Sequence, residues 1–357
     1  MLSATGDYFI LVEGNAANVA PISFTLRKTV TNPTGAPSGF GTVHEGVVNA
    51  GEEPSFTYDI PAGRWIFYDA QDMTVDPLLV ELRDPANNLV QNFYAAYDFG
   101  PYQALTSGTY TLVIKGTDAS STGDYRFRLL ELSANSTALT LGSDVSLILD
   151  APNKTEFYRF EGTAGQRIVY DALTAPGASS AGFWLFAPDA TFLIACGFGC
   201  ANPFYNAGPL TLTEEGTYYL YFQSFQTDNI DLSFRVIDVD KPPAANLAIG
   251  AVASGTLDPW LKLQVYRFSF GGRQRLFCDG RGSNANGNWT LYGPGNEYLG
   301  AANLTGDFEL DAPLPLSGQG LILVDGTTTD PVPFEIKVSE FSLDNKALSF
   351  GARQTGS

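Results

Sequence analysis

The stretch GRWIFYDA, from Gly63 to Ala70, returns as GQRIVYDA from Gly165 and as RQRLFCDG from Arg273. The three aspartates, Asp69, Asp171 and Asp279, stand about 100 residues apart, the length of one ordinary domain. Two further phrases keep this period and order. A closing phrase runs GTYTLVIKG from Gly108, GTYYLYFQS from Gly216 and GQGLILVDG from Gly318, and an earlier copy, GDYFILVEG, begins at Gly6. An opening phrase runs GFGTVHEGVV from Gly39, TLGSDVSLIL from Thr140 and AIGAVASGTL from Ala248, and returns as SFGARQTGS from Ser349. Three phrases sharing one period are the mark of internal repetition. Residues 1–32 then read as the tail of a preceding unit. Residues 38–135, 136–243 and 244–343 form three complete units, and 347–357 the first strand of a following one. The chain is expected to be an excerpt from a longer array.

Each unit reads as β structure. Tyr110, Leu112 and Ile114 alternate with Thr109, Thr111 and Lys115. A period of two sends alternate side chains to opposite faces of a strand. Tyr125, Phe127 and Leu129 alternate in the same way with Arg126 and Arg128, and Phe334, Ile336 and Val338 with Glu335 and Lys337. One face buried and one face wet is the pattern of an antiparallel sheet. About eight short strands per unit, joined by Gly, Pro and Asp turns with no helical period, predict two packed sheets. The fold expected is all-β: a tandem array of jelly-roll-like antiparallel β-sandwich domains.

The chain carries a formal net charge of −18, with 44% hydrophobic and 13% aromatic residues. That content suits packed domains rather than disorder. So acidic a chain repels phosphate backbones and anionic lipid, which argues against nucleic acid as a partner. No run of about 18 apolar residues predicts a membrane-inserted helix. The start, MLSATGDYFI, lacks the basic and apolar regions of a signal peptide. If the protein is exported, its signal lies outside this stretch or has been removed.

The residues that could carry chemistry are few. His44 is the only histidine, so a hydrolytic triad would need it beside a nucleophile and an acid. It lies in the opening phrase, where later units place Val145 and Ala253, and reads as a strand residue without a catalytic role. The recurring Asp69, Asp171 and Asp279 either accept hydrogen bonds from turn amides or help to hold calcium. No acidic cluster of the calcium-loop type accompanies all three. Glu131, Asp238 and Glu340 share one position at the exit of each unit. With Asp240 they either stand solvated in linkers or clamp a cation across a junction. Cys196 and Cys200 bracket ACGFGC, either as a small disulfide at a hairpin tip or as two free thiols. Cys278 takes the place of Tyr68 and Tyr170 and is expected to be a buried thiol. Tyr97, Phe99, Phe204 and Tyr205, in AYDFGPY and CANPFYN, are candidate aromatic contacts for sugar rings or a matrix protein, or else hairpin packing.

The phrases YRF, AGQRIVYDA, WLFAPDA and EGTYYLYF of the second unit resemble the bacterial pre-peptidase C-terminal domain, and so do GTYTLVIKG with GDYRFRLLEL in the first and VYRF with WTLYGPG in the third. The likeness is to the divergent tandem form found in large bacterial surface proteins. It implies a jelly-roll-like sandwich, secretion and an accessory role, with binding of collagen or calcium in some members. The acidic calcium segment has no clear counterpart here, and Gly320 and Cys278 depart from the pattern in the third unit. The expected function is a structural or adhesive segment of a large extracellular or cell-surface protein. It would pack against neighbouring repeats or copies of itself, in a fibre or surface layer, and would not be an enzyme. The alternative is a glycan- or matrix-protein-binding accessory module. No cofactor is expected; calcium is the one ion left open.

Overall fold

The computed structural model describes residues 38–71, 77–149, 155–174, 181–194, 205–225, 229–258, 262–271, 274–310, 317–328 and 330–340. The readings of residues 1–32 and 347–357, and those of Cys196, Cys200 and Phe204, lie outside them.

The first sandwich is built from β1 (Val43–Val48), β2 (Ser55–Ile60), β3 (Trp65–Ala70), β4 (Leu78–Arg83), β5 (Leu89–Tyr94), β6 (Phe99–Gln103), β7 (Gly108–Gly116) and β8 (Gly123–Glu131). A short β9 (Thr137–Ala138) precedes the second. Its strands are β10 (Val145–Leu149), β11 (Thr155–Gly162), β12 (Arg167–Ala172), β13 (Ala181–Phe186), β14 (Phe192–Ile194), β15 (Ala207–Thr211), β16 (Gly216–Ser224) and β17 (Ile230–Asp238). The third follows β18 (Ala245–Asn246) with β19 (Val252–Leu257), β20 (Gln264–Phe270), β21 (Leu276–Gly280), β22 (Gly287–Tyr292), β23 (Tyr298–Asn303), β24 (Phe308–Glu309), β25 (Gly318–Gly326) and β26 (Val332–Glu340).

Strands pair from the outside inward. β1 lies beside β8, β2 beside β7, β3 beside β6 and β4 beside β5, all antiparallel. The sheets are therefore β1-β8-β3-β6 and β2-β7-β4-β5. The other sandwiches repeat this as β10-β17-β12-β15 with β14-β13-β16-β11, and as β19-β26-β21-β24 with β20-β25-β22-β23. Such nested pairing defines a jelly roll. The two-residue β9 and β18 add parallel edges to β11 and β20.

The chain divides into two compact units, the first sandwich in one and the second and third in the other. Each sandwich has its own core. In the first, Tyr58, Tyr68, Tyr110, Leu112, Ile114 and Phe127 are buried together. In the second, Tyr170 stacks on Phe183 with ring centroids 4.2 Å apart and on Phe234 at 5.7 Å. Each such pair contributes about 0.5–1.5 kcal/mol beyond burial of its area. In the third, Cys278 takes the place of that tyrosine beside buried Trp289 and Leu291. Gly320 stands where β7 and β16 carry Tyr110 and Tyr218. A Cβ there would lie 2.6 Å from the Phe268 ring, so the phenylalanine fills the space the tyrosine has left. Gly63 and Gly165 take φ near +84° and +83° in the turn before the central strand, where glycine meets no steric penalty.

Candidate functional site: the seam between the second and third sandwiches

The alternation that fills the core leaves a second set of side chains on the outer face of β10-β17-β12-β15. On β12, Ile168, Tyr170 and Ala172 enter the core, so Arg167, Val169 and Asp171 point the other way. On β17, Arg235 and Ile237 share that outer face. An outer face would ordinarily be wet, yet Val169, Asp171, Arg235 and Ile237 are all buried. The third sandwich covers them. Val169, Ile237, Val239 and Ala244 pack with Leu263, Val265, Leu321 and Leu323 in one apolar cluster. The last four are the outward residues of β20 and β25 and of the segment leading into β20; Phe268, Ile322 and Val324 serve the third core.

Polar groups fix the register of this seam. Asp171 and Arg235 face each other across β12 and β17, and Arg235 Nε donates to Asp171 Oδ2 at 2.5 Å. Together they hold the peptide groups of Leu263. Its N–H donates to the Asp171 carboxylate at 3.2 and 3.3 Å, and its carbonyl accepts from Arg235 Nη2 at 2.8 Å. Both backbone groups of a buried residue thus find partners, as burial demands. Burial pushes the Asp171 carboxyl up to about 6, with Arg235 opposing the rise. At the rim, Asp144 accepts from Lys262 Nζ at 2.8 Å and lies 3.9 Å from Arg235 Nη1.

Arg167 makes the second lock. Its guanidinium donates to Asn296 Oδ1 at 2.8 Å, the Gln319 carbonyl at 2.9 Å and the Gly293 carbonyl at 3.2 Å. Asn296 holds a left-handed φ of 67° in the turn before β23 and donates back to Thr211 Oγ1 at 2.8 Å. Asparagine tolerates that conformation better than most side chains. A planar fork with five donors suits three acceptors where an ammonium does not.

The first sandwich keeps the central ion pair; the third keeps an acid and a cation opposite each other in register, but there Asp279 lies 3.7 Å from Arg281, which in turn pairs with Glu335 at 3.2 Å. Asp69 faces Arg128 across β3 and β8, with Nε 2.5 Å from Oδ2. Asp279 faces Lys337 across β21 and β26. Among the described residues no group of three or more acidic, histidine or cysteine side chains could hold a metal ion. The sequence reading saw the outward arginines of the last strand but not their partners. The signal was there: a cation recurs at Arg128, Arg235 and Lys337, 107 and 102 residues apart, near the 102 and 108 that separate the aspartates.

The remaining candidates have structural surroundings. Asp238 accepts from Gln166 Nε2 at 2.8 Å and from the Asp240 amide at 3.0 Å, while Asp240 itself is exposed. Glu340 accepts from Gln274 at 2.8 Å, and Glu131 caps its own turn through Ser133 and the Ala134 amide. His44 is half-buried, with its ring 4.7 Å from Phe56 and 5.3 Å from Phe127. Burial lowers its pKa, and its Nε2 has no hydrogen-bond partner among the described residues. Tyr97 and Tyr205 are 55% and 58% exposed. Phe99 instead stacks on Phe93 at 4.3 Å and helps to line an apolar cavity with Tyr68 and Leu129. It is a packing residue rather than a surface aromatic. The loops before the closing strand also carry a backbone role. Asp98 accepts from the Ala70 amide, Asn206 from Ala172 and Asp307 from Gly280, at 2.7, 2.9 and 2.9 Å. Each brace holds the residue that follows the recurring aspartate.

No protein-family model matches the chain, and no curated protein matches it. Solved structures that align with it include human MASP-1/3 (its CUB1-EGF-CUB2 domain), 11% identical over 54% of this chain and 99% of the other, with a TM-score of 0.16. Sulfolobus Turreted Icosahedral Virus aligns at 10% identity over 82% and 84%, with a TM-score of 0.17. Infectious bursal disease virus, Gt strain, aligns at 11% over 87% and 83%, with a TM-score of 0.17. The fold assignment rests on the strand order, not on these alignments.

Proposed function

We propose that this chain is a structural and adhesive segment of a large extracellular or cell-surface bacterial protein, built of stacked repeats and without catalytic activity of its own. The observation that supports this reading is the seam. The side chains with most chemical potential in the second sandwich, Asp171, Arg235 and Arg167, hold the next sandwich in place. The resemblance to the pre-peptidase C-terminal domain agrees with secretion and an accessory role. Neighbouring repeats, or further copies of the chain, are the partners this reading names.

Pulling on the chain between two anchored ends tests it. Each sandwich is expected to yield as a discrete step that releases about 100 residues, at roughly 3.3–3.6 Å each. A smooth extension without steps counts against it, as does hydrolysis of a peptide or glycan that is lost in His44→Ala.

A second reading, a glycan- or matrix-binding module, draws on the exposure of Tyr97 and Tyr205. Retention on immobilised polysaccharide or collagen that disappears in Tyr97→Ala and Tyr205→Ala would promote it over the first.

A further inference from the structure

The outer face of β19-β26-β21-β24 in the third sandwich copies the covered face of the second, position for position. Arg275 stands where Arg167 stands, Phe277 for Val169, Asp279 for Asp171, Lys337 for Arg235 and Ser339 for Ile237. In the second sandwich these positions are buried under its neighbour. In the third, Arg275, Phe277, Asp279, Lys337 and Ser339 are all partly open, and Val252 beside them is 44% exposed. The Asp279 side chain is 34% exposed, against 0% for Asp171. Asp279 lies 3.7 Å from Arg281, itself 3.2 Å from Glu335, so the acid of this face has a cation beside it already; what points to a docked partner is that the same positions of the second sandwich are covered by a neighbour.

We propose that this face docks a further sandwich of the same repeat, through the sheet and the strand-entry peptide that the third sandwich offers to the second. The proposal rests on the reading of the chain as a stacked array. The incoming sandwich would present a backbone N–H to Asp279, as Leu263 presents its own to Asp171, and outward apolar residues to Phe277. Two substitutions set the character of this seam. Lysine in place of arginine donates from a single point and not through a fork, and Ser339 removes the apolar contact of Ile237. Charge therefore holds this junction more than apolar area does, and salt weakens it.

The test is a chain in which residues 251–343 are repeated directly after Gly351, the counterpart of Gly250. Amide hydrogen exchange is compared between this chain and the 357-residue one. The segment Phe277–Gly280 and the facing Lys337–Ser339 are expected to exchange about tenfold more slowly when the extra sandwich is present. Asp279→Lys, or high salt, should return them to the rate of the shorter chain. Equal rates in the two chains, with the appended copy protected in its own core, overturn the proposal. A second chain appending residues 143–343, a whole pair of sandwiches, guards against misfolding of a lone copy and is judged by the same criterion. The segment Val169–Asp171 is the internal reference. If it is protected and Phe277–Gly280 is not, only the docking face fails. If it exchanges freely as well, the stacked-array reading falls with it.

Discussion

Asp171 and Arg235, on adjacent strands of one sheet, grip opposite sides of a single residue of the next sandwich. The carboxylate receives the Leu263 N–H and the guanidinium donates to its carbonyl. This is the pairing a β-ladder would give, made by two side chains where no strand is available. It turns an ion pair, which alone adds little to stability, into a device for register.

Replacing Arg235 by alanine leaves the buried Asp171 carboxylate without its paired guanidinium and frees the Leu263 carbonyl. A loss of about 3–5 kcal/mol at pH 7 is expected, measured by urea unfolding. The joint substitution Asp171→Leu with Arg235→Met removes the unpaired charge but leaves both Leu263 backbone groups without partners, so it should recover only part of that loss. If the double variant is no better than Arg235→Ala, charge was not the reason for the loss.

The pH dependence has a definite sign. Asp171 moves from 3.8 to about 6 on folding, so the folded state binds more protons between those values. Its contribution is greatest below the lower value and disappears as pH rises through the upper one, a change of about 3 kcal/mol. Asp69 and Asp325, each also pushed up to about 6 by burial, act in the same direction. Chemical denaturation at pH 5 and pH 7 should show greater stability at pH 5. Asp171→Asn should remove one share of that difference. A wild-type protein less stable at pH 5 than at pH 7 would contradict this.

Arg167→Ala removes three donors from the seam but touches neither core. Charge-assisted bonds of this kind contribute about 1.5–3 kcal/mol each, and their shared donor makes the sum smaller. Calorimetry is expected to show the joint unfolding of the second and third sandwiches separating into two transitions. Arg167→Lys should behave like the alanine variant. Full rescue by lysine would mean that charge, and not the fork, joins the two.

Cys278 is fully buried and its thiol is pushed up to about 12 by that burial. A thiolate is the reactive form, so alkylation at pH 8 should proceed at the rate of global unfolding and accelerate with denaturant. Prompt labelling of the native protein at this position would show that the third core opens independently.

The period-two phrases carried the fold, since each strand's core face could be read from a few neighbouring residues such as Tyr110, Leu112 and Ile114. The seam was harder to read because its contacts are remote. Asp171 meets Arg235 only after the sheet has set a register 64 residues long, and meets Leu263 across 92. The repeat placed the aspartates in view but could not tell calcium, turn amide and arginine apart as partners. For Phe99 the sequence left a sugar contact and hairpin packing both open; the strand pairing of β3 with β6 turns it towards Phe93, the packing alternative.

The outside-in strand order also bears on how such a chain would carry a load. The first and last strands of the second sandwich are antiparallel neighbours, with Val145 opposite Phe234 and Leu149 opposite Ile230. Chain entry and exit therefore lie at the same end of that pair. Traction applied there peels the two strands apart one hydrogen bond at a time and does not shear the whole ladder at once. A zipper loaded from its open end is a weak fastener. The Arg167 fork and the Asp171 half of the grip on Leu263 sit on β12, outside that zipper, while Arg235 adjoins its last pair on β17, so part of the force passing between neighbours bypasses the weakest bonds in the sandwich.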